Sequence, residues 1–214
     1  MEAVARLDRR KAESRQRLMA AARQLFITRG YHAVRPQDIA RAADVGNGTF
    51  YLHFTDKRAC FQAFVEEARL ELEAFLAPRL AAVEGVESQI RALLTGVIDY
   101  AERHPGVLKA AMIDLQVIAV DEAPAESLGD RWARGWAKHL AAGAARGAIH
   151  GDYDAAVIGQ AVIGAISGAT RHRLETGRDA LIENLTRFLV RALVPSGSAT
   201  AGSGSFFSLG GCCA

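Results

Sequence analysis

DIARAADVGNGTFYLHFTDK, residues 38–57, holds two helical segments and the break between them, and that break decides the fold. Ile39, Ala40 and Ala43 share the inner face of a short helix that starts near Pro36. Proline suits a first helical position because the N–H it lacks would have no intrahelical partner there. The chain is interrupted at Asp44-Val45-Gly46-Asn47-Gly48, where Asp44 is expected in a left-handed turn conformation that aspartate tolerates better than most residues. A third helix restarts over Asn47–His53. It has under two turns and could not stay helical alone in water, so tertiary contacts must prop it. Phe50 and Phe54, spaced i and i+4, anchor it against Phe26 and Ile39, leaving Asn47, Thr49, Tyr51, Leu52 and His53 facing elsewhere. Gly46 and Gly48 let the backbone approach another surface closely, and free N–H groups at a helix start suit a phosphate. A short anchored helix with a polar outer face after a tight turn is the plan of a helix-turn-helix recognition element.

Upstream, a first helix is predicted from about Asp8 to Arg29. Leu18, Ala21, Ala22, Leu25 and Phe26 share one face, Gly30 stops it, and Arg10, Arg15, Arg17 and Arg23 line the opposite face. Charge is unevenly spread: Met1–Cys60 carries 12 Lys+Arg against 6 Asp+Glu, a net of +6, and the remainder 14 against 18, a net of −4. A basic module that meets a polyanion, joined to a neutral-to-acidic domain, has this pattern.

Downstream, a fourth helix is expected from about Asp56 to Phe75 or beyond, with Thr55 as cap and Pro78 marking its end. Cys60, Phe61, Phe64, Ala68 and Leu72 face inward along it, so it can act as one rigid lever. Five further helices are read at about Glu87–His104, Pro105–Val120, Pro124–Ile149, Asp152–Thr176 and Asp179–Val194. With 5 prolines, 50% hydrophobic residues in 3.6-residue patterns and no extended Val/Ile alternation, the 214-residue chain is all-α. The expected organisation is a helix-turn-helix domain over 1–56, a larger helical domain over 57–195 and a Gly/Ser-rich tail over 196–214. The penultimate helix, AAVIGQAVIGAISGATRHRL, is apolar on much of its circumference and rich in small residues. With ALIENLTRFLVRAL it makes a candidate four-helix dimer interface through Gly164, Gly168, Leu185 and Leu189.

Other classes find little support. The start lacks a signal-peptide apolar stretch and no later run approaches membrane-spanning length, which predicts a cytoplasmic protein that does not engage the membrane. Cys60, Cys212 and Cys213 have neither disulfide-framework nor zinc-site spacing, and Cys60 reads as a packed helical thiol. There is no His-Glu-x-x-His, no Glu-x-x-His pair and no phosphate loop, so the protein is expected not to be an enzyme and to need no cofactor or metal.

From about Arg17 to Glu66 the sequence resembles the DNA-binding region of the TetR family of bacterial transcriptional regulators, most specifically in IARAADVGNGTFYLHFTDK. The pattern shared is Ile-Ala, a small-residue turn, Gly-Thr-aromatic, Tyr, then Phe and a downstream Lys. Departures are Asp44 and Gly46 in the turn, Asn47 where a basic residue is customary, and Val34 and Arg35 in place of threonines. The resemblance implies an all-α homodimer that binds double-stranded operator DNA and releases it when a small molecule occupies the C-terminal domain. It further implies that Tyr51, His53 and Lys57 meet phosphates, with Asn47, Gly48 and Thr49 in the major groove and Arg35 and Gln37 at the start of the second helix. Asn and Gln can read adenine bidentately and Arg can read guanine. Candidate effector contacts, chosen on inward faces of the middle helices, are Leu94, Ile98, Met112, Leu115, Trp132, Trp136, Gln160 and Ile163, a set suited to an apolar or amphipathic molecule. The alternatives are a DNA-binding architectural protein without ligand response and, beyond that, an α-helical enzyme.

Overall fold

The computed structural model describes residues 2–112, 128–171 and 177–195, and all regular structure among them is helical. The helices are α1 (Glu2–Arg29), α2 (Pro36–Ala42), α3 (Asn47–His53), α4 (Lys57–Ala81), α5 (Val86–Arg103), α6 (Val107–Ala111), α7 (Leu128–Ala145), α8 (Ala155–Arg171) and α9 (Arg178–Leu193). They sort into two compact units, Met1–Leu70 with His104–Ile113 and Glu71–Arg103 with Asp114–Ala214. The predicted tail 196–214 lies outside the described residues.

The first unit is built on an aromatic centre. Phe26 of α1 meets Phe61 edge-on at 5.0 Å and Phe64 at 5.8 Å between ring centroids, and all three rings are buried. Such contacts add to the burial of large rings, which dominates core energetics. α1 begins at Glu2 rather than near Asp8. Its first turns have no apolar stripe for periodicity to detect, but Ala, Arg and Glu are good helix formers. Gly30, at φ 76°, ends it, its N–H donating to the Phe26 carbonyl at 3.0 Å. α6 starts after Gly106, which at φ 84° cannot extend a helix back to Pro105, and stops at Ala111; the predicted continuation over 113–120 lies outside the described residues.

In the second unit, α4 continues past Pro78 to Ala81 instead of ending there. Proline removes the bond to a carbonyl four residues back, but Pro78 is exposed and one turn from the helix end, where that loss is limited. Arg79 supports the same turn, stacking over the Phe75 ring at 3.7 Å while its Nη1 donates to the Phe75 carbonyl at 2.6 Å. α7 ends at Ala145, short of the expected Ile149. The N–H of Gly147 donates to Ala144 and that of Ala148 to Gly143, a Schellman closure that needs the left-handed φ of 71° at Gly147. Residues 124–127, expected in this helix, lie outside the described residues. α8 begins at Ala155 because Asp154 caps it, its Oδ1 accepting the N–H groups of Ala156 and Val157 at 2.8 and 3.1 Å. Arg91 of α5 and Glu183 of α9 join at 2.6 Å.

The small residues of α8 divide into two kinds. A Cβ added at Gly159 would lie 2.3 Å from the Ala133 carbonyl oxygen, so this glycine is what lets α8 lie against α7. At Gly164 and Gly168 such a Cβ meets nothing within 4 Å among the described residues. Because the clash at Gly159 is with backbone, Gly159→Ala is expected to destabilise the second unit by about 1–3 kcal/mol through overpacking, seen as a lower midpoint in thermal unfolding.

Candidate nucleic-acid interface

The turn between α2 and α3 is a second Schellman closure, made with an aspartate. Asp44 sits at φ 52°; its N–H donates to Arg41 and the next, from Val45, to Ala40, at 3.1 and 3.0 Å. A left-handed residue with a side chain is costly, and Arg17 offsets that cost. The Arg17 guanidinium donates from Nε to the Ala43 carbonyl at 2.9 Å and from Nη2 to the Asp44 carbonyl, and lies 3.5 Å from the Asp44 carboxylate. Arg17 thus ties α1 to the turn that aims α3. Its basic face was legible in the sequence, but not this clamp, because residues 17 and 44 meet only in three dimensions.

α3 divides its faces as the aromatic spacing predicts. Phe50 is fully buried and Phe54 nearly so, their centroids 5.5 Å apart. On the outside, Asn47 and Gly48 are exposed, Thr49 is half-buried, Tyr51 is 50% exposed and Leu52 is 74% exposed. Leu52, the most exposed large apolar side chain of this helix, was outside the predicted site residues. Arg35 caps α2 with an exposed side chain, its N–H donating to Asp38 Oδ2 at 3.0 Å, and Gln37 is exposed beside it. Six of the predicted residues therefore stand exposed or half-buried on or beside two short helices joined by a clamped turn.

The remaining two, His53 and Lys57, are held from within the unit. His53 Nε2 shares a hydrogen bond of 2.8 Å with the Ser14 hydroxyl. Burial lowers its pKa from the ordinary value, helped by the nearby charges of Arg15 and Lys11, so the ring favours its neutral form. Lys57 Nζ donates to the Tyr31 carbonyl at 3.0 Å and lies 4.1 Å from the Tyr31 ring centroid, and burial lowers its pKa. The cap of α4 is Asp56, not Thr55: its Oδ1 accepts the Ala59 N–H at 2.7 Å, and the carboxylate is the stronger partner for a helix start. Cys60 is buried, and that burial pushes its thiol up to about 12.

The effector candidates are less tightly grouped. Leu94 and Ile98 are buried on α5, Trp136 and Ile163 on the packed pair α7 and α8, and Trp132 is half-buried. Gln160, expected on an inward face, is exposed and donates to Asp130 Oδ1 at 3.1 Å, which keeps its amide satisfied at the surface. Met112 follows α6 in the first unit, because that helix is short, and Leu115 lies outside the described residues. A cleft of about 220 Å³ lies elsewhere in the second unit, among Leu140, Ile149, His150, Tyr153, Ile158 and Leu193, and none of the candidates lines it.

An all-helical protein whose first unit presents a clamped helix-turn-helix with a buried aromatic anchor is, as a class, a helix-turn-helix DNA-binding regulator. Residues 18–64 match the family profile described as bacterial regulatory proteins, tetR family. Over those residues the chain is similar to the DNA-binding region of the TetR family of transcriptional regulators. It is 27% identical over 187 residues to the HTH-type transcriptional repressor DhaR of Mycobacterium sp. (strain GP1), spanning 85% of this chain and 93% of that one. A solved TetR-family regulator from Shewanella sp. PV-4 superposes with a TM-score of 0.68 at 20% identity, over 86% of this chain and 99% of that one. A gamma-butyrolactone receptor superposes with a TM-score of 0.60 at 22% identity, over 87% and 90%. The matched profile is one of DNA-binding regulators, and the fold is shared with a solved TetR-family regulator. Among the described residues no helix is long and apolar enough to cross a membrane.

A lysine that is positioned by Tyr31 and makes no ion pair among the described residues is suited to a phosphate. Lys57→Ala is expected to weaken binding to every DNA sequence alike and to reduce the slope of log affinity against log salt by about one, measured by anisotropy across a salt series.

Proposed function

We propose that the protein is a repressor that binds operator DNA as a two-fold dimer and leaves it when a small apolar or amphipathic molecule enters the second unit. The observation that carries this reading is α3: Phe50 is fully buried while Asn47, Gly48, Tyr51 and Leu52 stand outside, on a helix aimed by the Arg17 clamp. Asn47, Gly48 and Thr49 enter the major groove, Arg35 and Gln37 lie at its edge, and Tyr51, His53 and Lys57 meet phosphates.

The dimer reading rests on the exposed face of α8 and α9. Val157 is 64% exposed, Phe188 is 58% exposed, and a Cβ built on Gly164 meets nothing within 4 Å among the described residues. Leu185 and Leu189 are buried within the unit, so they support that face from behind. The effector reading takes support from buried Leu94, Ile98, Trp136 and Ile163. The hydroxyl of Thr186, on α9 packed against α5, is buried with no hydrogen-bond partner among the described residues, and it offers a polar anchor. The relative named as a repressor and the fold shared with a gamma-butyrolactone receptor point the same way.

The test is an anisotropy titration of the protein on the DNA it selects, challenged with a panel of amphipathic small molecules. Release by one or more of them is expected. A molecule that binds the second unit by calorimetry yet leaves the DNA complex unchanged would favour an architectural protein without ligand response.

A further inference from the structure

The basic charge of the first unit does not stop at the helix-turn-helix. α1 runs back past Ser14 to Glu2, and Arg6, Arg9, Arg10 and Lys11 are exposed on its first turns. Their place is fixed by two contacts: the Ser14 hydroxyl meets His53 at the end of α3, and the Arg15 guanidinium lies 5.0 Å from the Phe54 ring centroid. Side chains three and four residues apart neighbour one another on a helix, so Lys11 and Arg10 stand one turn before Ser14 and Arg6 one turn before Arg10. Of the two carboxylates between Arg6 and Ser14, Asp8 lies on the far side of the helix from Arg10, one turn before Lys11, and Glu13 is engaged by Arg9 at 3.6 Å. Arg6, Arg10 and Lys11 form a basic line that starts beside the outer end of α3 and extends about 12 Å beyond Ser14.

We propose that this line is a second DNA-contacting surface, gripping the phosphate backbone that flanks the groove entered by α3. The inference rests on the reading of α3 as the recognition helix. Two features favour DNA phosphate as the occupant: the cations are continuous with the α3 surface, and duplex DNA presents about one negative charge per 1.7 Å of axis, a run of charge that a helical line of cations matches. The contact carries no base information, so it adds affinity and salt dependence without changing sequence preference.

The experiment compares two duplexes carrying the sequence the protein selects, one with long flanks and one trimmed to the core. The proteins are the unaltered chain, Arg6→Gln/Arg10→Gln/Lys11→Gln, and Arg6→Lys/Arg10→Lys, which keeps the charge. Glutamine is a good helix former, so α1 is retained, as circular dichroism checks. On the long duplex the glutamine variant should bind roughly 10–100-fold more weakly, with a salt slope lower by about 2–3. The lysine variant should stay near the unaltered chain, and the trimmed duplex should show a much smaller difference. Unchanged affinity and slope for the glutamine variant on the long duplex would overturn the second surface alone. No binding of the unaltered protein to either duplex would instead overturn the α3 reading and the second surface with it.

Discussion

Gly164→Trp is expected to yield a folded monomer that has lost tight operator binding. Gly164 is exposed, and a Cβ built there meets nothing within 4 Å among the described residues, so a larger side chain can leave the helix there without meeting the α8 backbone's packed neighbours. A second copy packed on the proposed face would meet it directly, since small residues are what permit close helix approach. A dimer places two recognition helices about one DNA turn apart, or a multiple of that, and the second α3 is held at high effective concentration once the first has bound. Losing that linkage should cost 10²-fold or more in operator affinity, an order-of-magnitude expectation from avidity. Sedimentation should show one copy, with helicity by circular dichroism unchanged. Gly159→Trp is the contrast: its clash lies inside the chain, so it should unfold the second unit instead of producing a clean monomer.

The second large effect is expected at Phe50. Its ring is fully buried and touches those of Tyr51 and Phe54 at 5.3 and 5.5 Å between centroids. Phe50→Ala removes the anchor of a helix too short to persist alone, at a cost of about 3–5 kcal/mol. Against a typical total of about 5–15 kcal/mol, that should leave the first unit partly unfolded and DNA binding abolished. Tyr51→Phe separates stability from recognition: an exposed hydroxyl is lost, so the thermal midpoint should hold while operator affinity falls. Equal loss of stability in both variants would contradict this division of the α3 faces.

Much of the first unit was legible because its signals are local. Pro36 opens α2, Asp44 takes the left-handed turn, and the i, i+4 spacing of Phe50 and Phe54 sets the face of α3, each a matter of a few neighbouring residues. The buried Cys60 follows from the periodicity of α4 in the same way. What escaped were contacts between distant positions and boundaries decided by backbone conformation. Arg17 reads as one more surface arginine until the chain folds and brings the Asp44 turn to it. Lys57 reads as a free cation, whereas Tyr31 holds it. The end of α7 depends on which glycine turns left-handed, and Gly147 does so before the apolar pattern runs out at Ile149. Pro78 reads as a stop because its local cost is known, yet helix ends tolerate a missing bond that interiors do not. In the second unit, apolar periodicity identified buried residues such as Leu94 and Ile163 but cannot separate packed core from effector lining, since both demand the same side chains.

The proposed regulator reads DNA with a clamped recognition helix presented twice by a two-fold dimer. The most direct measurement is the sequence recovered when the purified full-length protein selects from a random pool of duplexes. The prediction is an inverted repeat with half-site centres about one helical turn apart, or a multiple of that, that protects both halves together. Recovery of no enriched sequence, or of a single unrepeated site bound by one copy, would contradict it.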